Sequence, residues 1–143
     1  MHQRPVADII RHEALRAAPA ETVLDVARRM AGRKDSCILV CDGDELAGIF
    51  TERDLLVRVV AAGRDPAATR IDEVMTPDPD SVDSRTSVAD AIRRMDECGY
   101  RHLPVVDAGR IVGALSFREL PLVEKAHMQP ELDARHALAE RMW

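Results

Sequence analysis

Two short stretches of the chain place a hydroxyl and a carboxylate three residues apart at the end of an apolar run. In GIFTERDL these residues are Thr51 and Asp54, and in GALSFREL they are Ser116 and Glu119. A hydroxyl at a helix start lies beside unpaired backbone N–H groups and the positive end of the helix dipole, where a phosphate is favoured. A carboxylate one turn later can accept hydrogen bonds from two vicinal hydroxyls. The pattern therefore suits a ligand that carries both a phosphate and a sugar.

The same residues also match the capping-box pattern, which needs no ligand. In a capping box the hydroxyl and the carboxylate each satisfy a backbone N–H group in the first helical turn. Such a cap stabilises a helix by about 1 kcal/mol. From the local pattern alone, capping is the simpler interpretation, and both interpretations stay open at this point.

The two motifs belong to an internal repeat with an offset of 65 residues. Shifted by that offset, four pairs of segments align without a gap: VADII with IDEVM, ETVLDVARRM with TSVADAIRRM, SCILVCD with RHLPVVD, and GIFTERDL with GALSFREL. We therefore expect two similar units at residues 1–62 and 71–123, with a connector at 63–70. Residues 124–143 form an extension that we expect to be helical.

Each unit contains elements that would position its motif. One helix face repeats in both units, formed by Val23, Val26, Ala27 and Met30 and by Val88, Ala91, Ile92 and Met95. Both of these helices begin with a capping-box pattern. Two short apolar runs separated by a polar turn follow each helix and are typical of buried strands. The motif then begins a second helix, which Pro121 is expected to bend or shorten in the second unit.

The pattern per unit is thus strand, helix, strand, strand, helix. A unit of this size cannot bury both its sheet and its helices alone, so the two should pack against each other. The predicted fold is α/β, with two tandem units related by pseudo-twofold symmetry.

These residues resemble the CBS (cystathionine-β-synthase) domain, which occurs as a tandem pair called a Bateman module. The most specific stretches are IDEVMTPDP, GYRHLPVVDAGRIVGALS and GIFTERDL, and the resemblance spans about residues 6–123. It implies regulatory binding of an adenosine ligand, such as AMP, ADP, ATP, NAD or S-adenosylmethionine, in clefts between the units. It also implies no catalysis, and a homodimer formed through helix faces.

The resemblance assigns roles to particular positions of the motif G-h-x-T/S-x-x-D. Ile49 occupies the apolar position, Thr51 would place its hydroxyl near the phosphate, and Asp54 would accept hydrogen bonds from the ribose. Ser116 and Glu119 are the counterparts in the second unit. The nucleotide site at Asp54 is expected to be the better one, because a glutamate reaches one methylene further.

Basic residues distinguish the two units further. Arg101 and His102 match positions where family members place phosphate contacts, whereas their counterparts in the first unit carry no charge. We therefore expect the Glu119 site to have a basic pair that the Asp54 site lacks. Arg53 and Arg118 adjoin the two carboxylates, and either phosphate contact or simple solvation explains them. His102 could equally be a histidine satisfied by backbone at the edge of the core.

Composition excludes several classes of function. The net charge of -5 argues against broad binding to nucleic acid or to an anionic membrane. No segment approaches the ~20 apolar residues of a membrane span, so the cytoplasm is the expected location. The three cysteines and five histidines show neither disulfide nor metal-ligand spacing, and no metal is expected. Aromatic residues are only 3% of the chain, so any ligand pocket should be mostly aliphatic.

The expected function is a module that senses an adenine nucleotide and transmits its occupancy to an unknown effector protein. One alternative is an interaction protein whose clefts stay empty, with both boxes serving only as caps. Another is an enzyme, but the sequence contains no phosphate loop, nucleophile elbow or HExxH motif.

Overall fold

The computed structural model describes residues 4–10 and 14–120, without the side chain of Glu119. The strands are β1 (Arg16–Ala17), β2 (Cys37–Asp42), β3 (Glu45–Thr51), β4 (Thr76–Pro77), β5 (Val82–Asp83), β6 (His102–Asp107) and β7 (Arg110–Ser116). The α-helices are α1 (Val23–Arg33), α2 (Glu52–Asp54, continued by a π-helix at Leu55–Val60) and α3 (Val88–Cys98). Turns of 3-10 helix occur at Val6–Ile9, Ile71–Glu73 and Phe117–Glu119. The predicted α/β repeat is confirmed.

The strands form two sheets of the same design. In the first sheet β1 is parallel to β2, which pairs antiparallel with β3, and β3 pairs antiparallel with β4. In the second sheet β5 is parallel to β6, which pairs antiparallel with β7. Both central hairpins shift register at matching positions, after Val40 and after Val105. The repeat therefore extends to the irregularities of the strands.

The opening segment of each unit packs into the other unit. The Val6 N–H donates to the carbonyl of Thr86 at 2.8 Å, and the Ile71 N–H donates to the carbonyl of Glu21 at 2.8 Å. Val6 is buried in the core around α3, and Ile71 is buried in the core around α1. Because each core is completed by a segment from the other unit, neither can form alone.

This crossing explains a glycine in each motif. A Cβ atom on Gly48 would lie 2.9 Å from the backbone carbonyl oxygen of Thr76, where β3 meets β4. A Cβ atom on Gly113 would lie 2.9 Å from a side-chain methyl of Ile10. The glycines of GIFT and GALS are thus places where the opening segment of the other unit passes close to the strand.

The first helix of each unit is capped by a hydroxyl, as predicted. Thr22 Oγ1 accepts from the Asp25 N–H at 3.2 Å, and Ser87 Oγ accepts from the Asp90 N–H at 3.1 Å. Within the described residues, neither the Asp25 nor the Asp90 carboxylate completes the predicted reciprocal box, and Asp90 pairs with Arg93 instead.

The ends of the two units differ. After β7 the described part of the chain makes a 3-10 turn, and Leu120 is extended, with φ -62° and ψ 144°. The residue before a proline avoids the helical region, and Leu120 precedes Pro121. The expected extension at 124–143 lies outside the described residues. Within the described part of the chain, no helix is both long and apolar enough to cross a membrane.

Candidate functional site

Two clefts lie between the units. The larger has a volume of about 770 Å³ and includes Thr51, and the smaller has a volume of about 360 Å³ and includes Ser116. Their lining residues correspond under the repeat, since these pairs differ by the repeat offset: Ala14 and Pro79, Ser36 and Arg101, Cys37 and His102, Leu39 and Pro104, Ala114 and Ile49, Ser116 and Thr51. The clefts are therefore pseudo-symmetric copies with different side chains.

Most of the residues singled out in the sequence line the larger cleft together. They are Ile49, Thr51, Arg53, Arg101, His102, Ser116 and Arg118. Asp54 is not among the residues that line this cleft, although it follows Arg53 in the chain, and its side chain is 15% exposed. The side chain of Glu119 is outside the described part of the structure.

The basic pair lies in the cleft that contains Thr51, which corrects the expectation that the Asp54 site lacks it. The pair lies there because the two hairpins meet at their ends, where Ser36 Oγ and His102 Nε2 are 2.6 Å apart. Ser36 precedes β2, whose first residue is paired with Thr51, so the hydrogen bond brings the start of β6 to the end of β3. The sequence register aligns equivalent positions but cannot show which cleft each one enters.

The Thr51 motif forms a complete capping box. The Thr51 N–H donates to Asp54 Oδ2 at 3.0 Å, and the Asp54 N–H donates to Thr51 Oγ1 at 3.2 Å. Because Thr51 Oγ1 accepts this bond, its own O–H is available to donate to a ligand in the cleft. The box fixes the hydroxyl at the start of the helix, so capping and ligand binding are compatible here.

The Ser116 motif differs from the Thr51 motif in the part that the structure describes. The Ser116 hydroxyl makes no capping hydrogen bond to the described backbone of its 3-10 turn. The hydroxyl half of the predicted cap is therefore absent from the described structure. The carboxylate half depends on the Glu119 side chain, which lies outside the described part of the chain. The two motifs share a pattern but differ in local structure.

Side chains of both charges line the larger cleft. Arg53, Arg101 and Arg118 are exposed at its wall, whereas Asp78 and Asp80 lie on the segment that follows β4. The cleft is therefore lined by cationic and anionic side chains together, and its arginines suit an anion.

Asp80 contacts two neighbouring side chains, Tyr100 and Arg94. The Tyr100 hydroxyl donates to Asp80 Oδ2 at 2.6 Å, and Arg94 Nη2 lies 3.5 Å from Asp80 Oδ1. The hydrogen bond to Asp80 is the main cause that raises the pKa of Tyr100 to about 12.

Two aromatic residues in this cleft were missed by sequence reasoning. Tyr100 and Phe117 are two of the chain's four aromatic residues, and both line the larger cleft. The expectation of a mostly aliphatic pocket is therefore incomplete for this cleft. A signal was present, because Tyr100 directly precedes the basic pair in GYRH and Phe117 lies inside the Ser116 motif.

The smaller cleft is mainly aliphatic. Ile9, Ile10, Leu15 and Leu39 are among its lining residues, and it shares Ser36, His102 and Ser116 with the larger cleft. The hydrogen bond between Ser36 and His102 thus forms part of the wall that the two clefts have in common.

Cys37 lines the smaller cleft, whereas Cys41 is buried. Burial raises the pKa of the Cys41 thiol, which lies in the core between the two sheets. Within the described ranges, no group of three or more histidine, cysteine, aspartate or glutamate side chains is arranged to hold a metal ion.

Comparison with known proteins identifies relatives along nearly the whole chain. The model of the CBS domain family matches residues 6–61 and 71–120. The Arabidopsis thaliana protein CBSCBSPB3 is 32% identical over 148 residues, covering 99% of this chain and 27% of that relative. The chain spans only 18% to 27% of the length of the Arabidopsis relatives it matches.

Solved structures give the same result. A protein with CBS domains from Burkholderia ambifaria MC40-6 has a TM-score of 0.74 and 35% identity, covering 81% of this chain and 90% of that one. A CBS domain protein from Pyrobaculum aerophilum, complexed with AMP, has a TM-score of 0.78 over 91% of this chain and 98% of that one. At 22% identity, the latter likeness concerns the fold alone.

Proposed function

This chain belongs to the CBS domain family, and on that premise we propose that it is a regulatory, non-catalytic module that binds an adenine nucleotide in its larger cleft. The observation that carries the proposal is the meeting of the Thr51 helix start with Arg53, Arg101 and Arg118 around one cavity. A helix N-terminus and arginines both favour phosphate oxygens. AMP, ADP, ATP and NAD all provide that chemistry.

The residues that line the cleft suggest how such a ligand lies. Its phosphate is placed at the arginine wall beside the Thr51 hydroxyl, and its ribose is placed over Asp54. Its base then faces Tyr100 and Pro79, where the aromatic ring of Tyr100 offers a stacking surface. The AMP found in the Pyrobaculum aerophilum protein supports this choice of ligand class, since that protein shares the fold.

Regulation requires that the ligand favour one arrangement of the two units over another. The larger cleft has walls from both units, so an occupant contacts both at once. We propose that occupancy is read by an effector protein whose identity the chain does not reveal.

The test of nucleotide binding is thermal unfolding with AMP, ADP, ATP and NAD. A ligand present at a hundred times its Kd stabilises the native state by about 2.7 kcal/mol, which raises the midpoint. We expect a shift that is reduced in Arg101→Gln and in Asp54→Asn and retained in Arg85→Gln, an exposed arginine paired with Asp83. Only the ligand-induced shift is compared, because Asp54→Asn also weakens the cap. Flat curves for the wild-type protein with all four nucleotides would overturn the proposal and favour the interaction protein with empty clefts.

We also propose that the module is a homodimer. Leu56, Val57 and Val60, on the π-helix, are 62%, 52% and 62% exposed, and apolar side chains grouped in this way mark an association surface. Light scattering should give twice the mass of one chain, and Leu56→Asp should give a monomer. Ala62→Asp, an exposed change just beyond the same helix, is the matched control. A wild-type monomer at micromolar concentration contradicts this part.

A further inference from the structure

We infer that Arg58 is a positioning residue that fixes the Asp54 carboxylate relative to the cleft wall and so helps the protein to distinguish ribose from 2′-deoxyribose. The inference rests on the proposed nucleotide function. It concerns a side chain that neither the sequence motif nor the cleft lining includes.

The contacts of Arg58 join two parts of the larger cleft. Its Nε lies 3.7 Å from Asp54 Oδ1. Its Nη1 donates to the carbonyl of Met75 at 2.9 Å and, more weakly, to that of Val74 at 3.3 Å. The chain continues from Met75 into Thr76, which lines the cleft. One guanidinium therefore connects the proposed ribose acceptor with the segment that leads into β4, the strand paired with β3.

The carboxylate keeps room for a ligand in this arrangement. Asp54 Oδ2 accepts one hydrogen bond, from the Thr51 N–H, and Oδ1 is beyond hydrogen-bond distance of Arg58. An ionised carboxylate has about four acceptor positions, so two ribose hydroxyls can still be accommodated. The Arg58 guanidinium attracts the carboxylate from 3.7 Å, so it favours one orientation of the carboxylate without occupying its lone pairs.

The arrangement belongs to the first unit. Under the repeat offset the counterpart of Arg58 is Val123, which has no charged group. Arg58 also lies in the π-helix that follows Asp54, a local widening that is frequent at functional sites. The positioning of a carboxylate by an arginine is thus a property of the Thr51 cleft.

The experiment compares AMP with 2′-deoxy-AMP, and ATP with 2′-deoxy-ATP, by calorimetric titration of the wild type, Arg58→Gln, Arg58→Lys and Arg85→Gln. The wild type should bind the ribose form about tenfold more tightly, which corresponds to one hydrogen bond to a charged group. In Arg58→Gln the ribose form should weaken about tenfold while the deoxy form weakens less, so that the ratio of the two Kd values falls. Arg58→Lys should restore part of the ratio, and Arg85→Gln should leave it unchanged.

The ratio separates positioning from a merely structural role. If Arg58 only stabilises the fold, both forms weaken equally and the ratio stays at its wild-type value, which overturns the inference alone. If the wild type binds none of these nucleotides, the proposed function fails and the inference fails with it. If Arg58→Gln retains both affinities, Arg58 has no part in binding.

Discussion

The two units of the chain follow one register but build their motif ends differently. In the first unit, Thr51 and Asp54 form a complete capping box at the start of a helix that continues to Val60. In the second, Ser116 leads into a 3-10 turn without a side-chain cap, and Arg101 and His102 occupy the positions of Ser36 and Cys37.

The difference shows a division of roles within a pseudo-symmetric fold. The first unit contributes a fixed helix start, and the second contributes cationic side chains that line the same cleft. Because the cleft is lined by residues of both units, one nucleotide site needs only one helix start and one set of cationic side chains. Divergence at equivalent positions can therefore concentrate binding in one cleft, while the core residues preserve the symmetry.

The largest expected effect concerns the two crossing points. Gly48→Ala should lower the free energy of unfolding by about 1–3 kcal/mol, because its new methyl group meets a backbone carbonyl that cannot move independently. Gly113→Ala should cost about 1 kcal/mol or less, since the methyl group meets only the side chain of Ile10. Urea unfolding of both variants measures the difference.

Gly32→Ala provides the control for this pair, because no atom lies within 4 Å of the position its Cβ would occupy. It should be neutral or stabilising in α1. Equal destabilisation by Gly48→Ala and Gly113→Ala would show that the two opening segments accommodate an added methyl group equally well. The two units would then not differ at these crossing points.

A smaller effect is expected at the motif hydroxyls. Thr51→Ala should reduce the free energy of unfolding by about 1 kcal/mol, because it removes the acceptor for the Asp54 N–H. Ser116→Ala should change it by less than about 0.5 kcal/mol, since that hydroxyl makes no capping bond to the described backbone of its turn. Thermal unfolding without ligand is the measurement, and Thr51→Ser is the control that keeps the hydroxyl. A loss of similar size in both alanine variants would show that Ser116 caps its turn in solution.

Much of the fold was predictable because the repeat constrains it twice. Each core position in α1 has an apolar counterpart in α3, and each hairpin is flanked by the same glycine and polar turn. The exchange of the opening segments was not predictable. VADII and IDEVM have the same pattern whether they pack within their own unit or in the other, so only long-range packing decides between these arrangements.

The candidate site was predictable residue by residue but not as an assembly. The motif identified Thr51, and the offset identified Arg101, yet their meeting in one cleft depends on how the hairpin ends pack at Ser36 and His102. Arg58 was not predicted because its role depends on the carbonyl groups of Val74 and Met75, and backbone positions leave no mark in the sequence.

The smallest expected effect is a pH-dependent one in the first unit. The Glu21 carboxylate accepts from Arg29 Nη1 at 2.6 Å, and this bond is the main reason why the pKa of Glu21 lies below its ordinary value of 4.5. Its counterpart in the second unit is Thr86, which cannot form the same ion pair. A carboxylate with a lowered pKa stabilises the fold above its unfolded pKa, and the contribution is lost as the pH falls through the folded pKa.

Glu21→Gln should therefore lower the free energy of unfolding at pH 7 by about 0.5 kcal/mol, a small value because both partners are partly exposed. The difference between variant and wild type should shrink as the pH is lowered from 7 through the folded pKa of Glu21, which lies below 4.5. Glu45→Gln, a change at the exposed first residue of β3, controls for the loss of one negative charge. Equal stability of the variant and the wild type over this whole range would assign the role of Glu21 to its hydrogen bond with the Ala18 N–H, which a glutamine can also accept. In that case the extra ion pair would not distinguish the first unit from the second.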